Sequence, residues 1–127
     1  MHFQCTNSLL TLATDDLKKL VLFYTNLLQQ EPQPYIHSVY AEFQISGLRL
    51  GIFQPKLQAQ AEFENIGKGR MSLCFEVQDL DAAIAHLTDI GYPPPEEIIL
   101  ASHGREVYAY DPDGNRLIVH QAVMRSL

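Results

Sequence analysis

The sequence predicts an α+β fold built from two βαβββ modules, and three observations predict it: an internal repeat, two helix openings in matching register, and two similar turn-and-strand endings. Residues 9–17 (LLTLATDDL) superpose on residues 72–80 (SLCFEVQDL) at a shift of 63 positions, which lays Asp16-Leu17 on Asp79-Leu80. Residues 46–54 (SGLRLGIFQ) superpose on residues 113–121 (DGNRLIVHQ) at a shift of 67. The four extra residues fit in the proline-rich loop before Ile98.

Each element has its own reason. A short strand-like run from Leu9 leads to Asp16, whose carboxylate suits the free amides of a helix first turn. Leu17, Leu20, Val21, Tyr24 and Leu27 then recur at helical spacing. A strand near Pro34 to His37, another over Val39 to Ile45, and a glycine turn into a last strand ending at Gln54 complete the first module. The second module repeats the order. Its strand precedes Asp79, its helix carries Leu80, Ala83, Ile84, Leu87 and Ile90, and Gly91 with Tyr92-Pro93-Pro94-Pro95 ends that helix. Strands follow over Ile98 to Ala101 and Arg105 to Tyr110. The turn Asp111-Pro112-Asp113-Gly114-Asn115 then leads into the last one, because proline fixes φ while glycine and asparagine tolerate positive φ. The modules span 1–54 and 70–127, with 55–69 as a polar connector. Its Gly67-Lys68-Gly69 lacks the spacing of a phosphate-binding loop and reads as a plain turn.

Composition bounds the function. With 127 residues, 46% hydrophobic and 19% charged, the chain can bury a real core without metal or disulfide. A net charge of -6 argues against nucleic acid or an anionic membrane as partner, since both need a basic footprint. Cys5 and Cys74 form no Cys-x-x-Cys pair and read as reduced thiols. The N-terminus shows no secretory pattern and no window is apolar enough to span a membrane, so a cytoplasmic location is expected.

Asp16-Leu17 through Phe23-Tyr24, the run Phe75 to Leu80, and Tyr108 to Asn115 resemble the vicinal oxygen chelate superfamily of glyoxalases, bleomycin resistance proteins and dioxygenases. The resemblance covers almost the whole chain. It implies that the two modules curl into an open mixed-sheet barrel with a shared concave cleft, and that the protein is a homodimer. Metal-using relatives place His, Gln or Glu at positions that here are Leu9, Gly51, Ser72 and Ile118. The repeat supports this assignment, because the two shifts map Leu9 to Ser72 and Gly51 to Ile118. None of these is a competent divalent-metal ligand, so no metal and no other cofactor is expected. A two-residue slide reaches Thr11, Phe53, Cys74 and His120, one imidazole and one thiol.

Strand alternation extends the inward face to Thr11, Ala13, Arg49, Phe53, Cys74, Glu76, Arg116 and His120, joined by Tyr108 and Tyr110. The resemblance implies Thr11 and Tyr108 as substrate contacts. Arg49 and Arg116 either bind an anion or pair with Glu42 or Glu76. Tyr108 and Tyr110 either line a pocket or fill the interior. His120 is either a packed, hydrogen-bonded histidine or a catalytic one. Glu76 is a base if buried, or else an ion-pair partner of arginine. Cys74 reads as inert, His37 and His103 as solvated loop residues, and Ser102-His103 as an isolated adjacency without a third member. No Gly-x-Ser-x-Gly, His-Glu-x-x-His or dinucleotide glycine pattern occurs.

Two functions follow as expectations. One is a metal-free protein of the glyoxalase/bleomycin-resistance type that holds a small organic ligand between its modules. The other is a lyase, isomerase or dioxygenase-like enzyme with a rearranged site using His120, Glu76 and Cys74. A regulatory subunit with a vestigial cleft is a third.

Overall fold

A computed structural model describes residues 4–64 and 69–123. The chain divides into two compact units, Met1–Asn65 and Ile66–Leu127. The first contains β1 (Leu10–Ala13), α1 (Leu17–Leu28), β2 (Tyr35–Ile36), β3 (Tyr40–Ile45) and β4 (Leu48–Phe53). The second contains β5 (Leu73–Glu76), α2 (Leu80–Asp89), β6 (Ile99–Ala101), β7 (Gly104–Tyr110) and β8 (Arg116–Ala122). Each unit is thus βαβββ, and each carries a four-stranded mixed sheet. The strand orders are β1-β4-β3-β2 and β5-β8-β7-β6. In both, the first strand runs parallel to the last and the remaining pairs are antiparallel.

The helices form where the sequence places their caps. Asp16 accepts from the Lys19 amide at 3.1 Å, and Asp79 accepts from the Ala82 amide at 3.0 Å. A second tie was not foreseen. The Gln54 carboxamide accepts from the Leu17 amide at 3.3 Å, and Gln121 accepts from the Leu80 amide at 2.7 Å. Each last strand therefore holds the opening turn of its module's helix, at positions the repeat makes equivalent.

Leu17, Leu20, Val21, Phe23 and Tyr24 of α1 are buried, as are Ala41, Phe43, Leu50 and Ile52 of β3 and β4. In the second unit Leu80 and Leu87 of α2 are buried, with Leu73, Val107, Ala109, Leu117 and Val119 of the sheet. Strand alternation sends the next residues to the opposite, open face. In the second unit these are Glu106, Tyr108 and Tyr110 across from His120, Ile118 and Arg116. Cys74 and Glu76 lie beside Ile118 and His120.

The segment 55–69, expected as a polar connector, contains a 3-10 helical stretch, Leu57–Phe63. Phe63 from this stretch meets Phe53 edge to face, with ring centroids 5.2 Å apart. Of the expected Gly67-Lys68-Gly69 turn, Gly67 and Lys68 lie outside the described residues. Among the described residues no helix is long and apolar enough to cross a membrane.

Candidate functional site

The residues singled out from the sequence separate into two sets, one on each sheet. On the first sheet, Glu42 of β3 is the hub. It is 7% exposed and fully partnered. Arg49 donates to it through Nε at 2.8 Å and Nη2 at 3.0 Å, the Tyr40 hydroxyl donates at 2.7 Å, and Gln44 Nε2 donates at 2.7 Å. The Arg49 fork, then Tyr40 and Gln44, bring the Glu42 carboxyl down to about 2. Burial first, and then the hydrogen bond to Glu42, pushes the Tyr40 phenol up to about 12. Half-buried Arg49 is thus ion-paired with Glu42, which is the ion-pair alternative of its two readings. Thr11 is exposed on β1 beside Gly51.

The cage also makes a pH prediction. The folded value of Glu42 lies below the ordinary value of 4.5, so the cage stabilises the fold above that pH. Its contribution fades as the pH falls through 4.5 toward about 2. Thermal unfolding from pH 7 downward is expected to show an acid-side loss of Tm that Glu42→Gln reduces. An identical acid limb in the variant would refute the cage as its source.

The positions implied for a metal do not fit one. A side chain at Gly51 would start 2.7 Å from the Tyr40 hydroxyl and 3.1 Å from Leu9 Cδ1, so Tyr40 already fills the space a ligand would need. In the second unit, Arg116 Nη1 donates to the Ser72 hydroxyl at 3.1 Å. A guanidinium therefore stands where a cation would have to enter, and Ile118 beside it offers no donor.

On the second sheet, His120 joins groups that the sequence left apart. Its Nδ1 lies 2.8 Å from Glu76 Oε2, and its Nε2 lies 2.8 Å from Nδ1 of His103. A carboxylate only accepts, so Nδ1 of His120 carries the proton and donates to Glu76. In the neutral ring Nε2 is then a lone pair, and His103 Nδ1 donates to it. Glu106 faces His120 across β7 and β8. The result can orient an imidazole, hold a proton, or present donor atoms to a cation.

Two expectations are corrected here. Glu76 pairs with His120 rather than with an arginine. His103 is not a solitary loop residue, because the turn between β6 and β7 folds it onto His120. The missed signal was register. With Tyr110 opposite Arg116, counting back along the hairpin places Glu106 opposite His120 and the Ser102-His103 turn beside it.

Cys74 shares this face. Burial, and then the charges of Glu76 and Glu106, push its thiol up, which keeps it protonated and a poor nucleophile. Arg116 donates through Nη1 to the Gly69 carbonyl at 3.1 Å as well as to Ser72. It has no carboxylate ion pair among the described residues. Tyr110 is its cross-strand neighbour, and Tyr108 follows two residues back on the same face.

Two βαβββ units, each with a four-stranded mixed sheet, define a class, and the sequence comparison agrees. Residues 6–119 match the Glyoxalase/Bleomycin resistance protein/Dioxygenase superfamily, and the chain belongs to it. No curated protein matches the chain. Among solved structures it is similar to a glyoxalase/bleomycin resistance protein from Catenulispora acidiphila, at 24% identity and TM-score 0.68 over 92% of this chain and 98% of that one. It is also similar to the fosfomycin resistance protein FosX from Listeria monocytogenes, at 23% identity and TM-score 0.72 over 96% and 97%. A lactoylglutathione lyase from Agrobacterium tumefaciens gives 21% identity and TM-score 0.70 over 93% and 95%. At these identities the likeness establishes the fold.

Proposed function

We propose that this chain binds a small organic anion on the open face of its second sheet, without a metal at the superfamily's chelating positions. One observation carries the reading. Of the two arginines related by the repeat, Arg49 is ion-paired with Glu42, whereas Arg116 has no carboxylate partner among the described residues and stands beside Tyr110. A guanidinium with unspent donors recognises carboxylate, phosphonate or phosphate groups. Half-buried Tyr108, Tyr110 and Ile118 supply the flat and apolar contacts for the rest of such a molecule. Arg116 also brings its own positive charge to the Ser72 corner.

The test is a calorimetric screen of small aromatic and aliphatic carboxylates and phosphonates, run in EDTA. Binding is expected to persist in the chelator and to fall about tenfold or more in Arg116→Gln, the loss of roughly one charge-assisted hydrogen bond. Tyr108→Leu is expected to weaken it less. A ligand held equally well by Arg116→Gln, or one released by EDTA, would overturn the reading.

A further inference from the structure

We infer that His103, Glu106 and His120 form a binding site for a divalent ion of the zinc type, at the end of the second sheet away from Arg116. Each offers one ligand atom, and these atoms all lie within 4.8 Å of one another. The site is separate from the superfamily's chelating positions. It lies two residues beyond Ile118 on β8 and draws its other donors from β7 and the turn before it. Four residue steps along an extended strand separate Arg116 from His120, about 13 Å at the usual rise per residue. It therefore stands or falls independently of anion binding.

Four features point to an ion rather than to a chance meeting of polar groups. First, the donor set is two imidazoles and a carboxylate, which suits zinc and its late first-row neighbours and leaves a coordination position open. Second, Nε2 of His120 and Nδ1 of His103 converge at 2.8 Å, and an ion would take the place of the proton they share. Their rings already face each other, 4.9 Å apart at 37°. Third, Glu76 accepts from Nδ1 of His120 at 2.8 Å. A carboxylate behind a ligating histidine fixes the tautomer that bares Nε2 and raises its basicity. The parallel pairing of Glu76 with His120 sets this contact in the backbone register. Fourth, His120 is only 8% exposed while His103 lies on the surface, so a largely preformed site opens to solvent through one ligand.

Gly104 makes the convergence possible. A Cβ there would lie 2.9 Å from His120 Nε2, in the space that ring uses. Glu76 is a positioning residue in this arrangement, and the three donors are the ligands.

The experiment uses the full chain, stripped with EDTA and dialysed, then titrated with Zn²⁺ by calorimetry and with Co²⁺ by visible absorption. One ion per chain is expected, with the Co²⁺ bands of a low-coordinate nitrogen and oxygen site. Outer-shell carboxylates typically contribute about 10–100-fold in affinity, so Glu76→Gln is expected to weaken binding within that range and to shift the Co²⁺ bands. His103→Asn and Glu106→Gln are expected to weaken it further, and His37→Asn to leave it unchanged. His103 is an exposed turn residue, so its variant tests the site without threatening the fold. Absence of stoichiometric Zn²⁺ binding at micromolar concentration would overturn the site, as would equal affinity in His103→Asn.

Discussion

Gly104→Ala is expected to destabilise the second unit by about 3–5 kcal/mol, at the severe end for a single substitution. The added methyl would start 2.2 Å from the Gln121 carbonyl oxygen and 3.1 Å from Ala122 Cα, both backbone atoms of the neighbouring strand. Neither can swing aside as a side chain would. The backbone at Gly104 also has φ near +150°, which an L side chain rarely adopts. Opening the end of the β7–β8 ladder would carry His120 and Gln121 with it. Gln121 accepts from the Leu80 amide, so the start of α2 loses a tie as well. Chemical denaturation should show the loss, and hydrogen exchange should place it at residues 118–122 and the first turn of α2. A wild-type midpoint in Gly104→Ala would refute this account of the strand ends.

Asp111→Ala is expected to cost about 2–4 kcal/mol, from several hydrogen bonds to one buried carboxylate. Asp111 is 4% exposed. Its Oδ1 accepts from the Asp113 and Asn115 amides, both at 2.9 Å, and its Oδ2 accepts from Asn115 Nδ2 at 2.8 Å. Those bonds close the turn that sets Tyr110 opposite Arg116, and with it every later pair down to Glu106 and His120. Register errors move side chains to the wrong face. Asp111→Ala should therefore weaken anion binding as well as stability, while Asp111→Asn, which keeps one acceptor oxygen, should lose less of both. Equal stability of the alanine variant and the wild type would show that the turn holds without its carboxylate.

The fold was legible because its signals are local and doubled. Asp16 and Asp79 cap helices where a short carboxylate precedes apolar residues at helical spacing. The strands fall within a residue or two of their expected ends; the strand expected at Val39–Ile45 is Tyr40–Ile45. Repetition turned two weak readings of each element into one firm one. The 3-10 stretch at Leu57–Phe63 escaped notice because nothing repeats it.

The candidate site was legible only in part. Alternation correctly put Tyr108, Tyr110, Arg116, Cys74, Glu76 and His120 on one face of the second sheet, since the period of a strand is fixed. What alternation cannot supply is the partner. Arg49 and Arg116 look alike in the repeat, yet Glu42 claims one of them and not the other. The repeat aligns strands but does not give their antiparallel neighbours, and it is Tyr40 and Glu42 on β3 that make the difference. His103 was hidden for a similar reason. Its distance from His120 in sequence is 17 residues, and only the hairpin register closes it to 2.8 Å.

Sequence by itself determined the repeated βαβββ order, the helix caps and the face to which each strand residue turns. These depend on neighbours a few positions away. Tertiary structure alone decided which arginine pairs with a carboxylate, that Tyr40 occupies the room beside Gly51, and that Glu76, His120, His103 and Glu106 meet. Those outcomes depend on cross-strand pairing, in which residues remote along the chain are brought within hydrogen-bonding distance by backbone register.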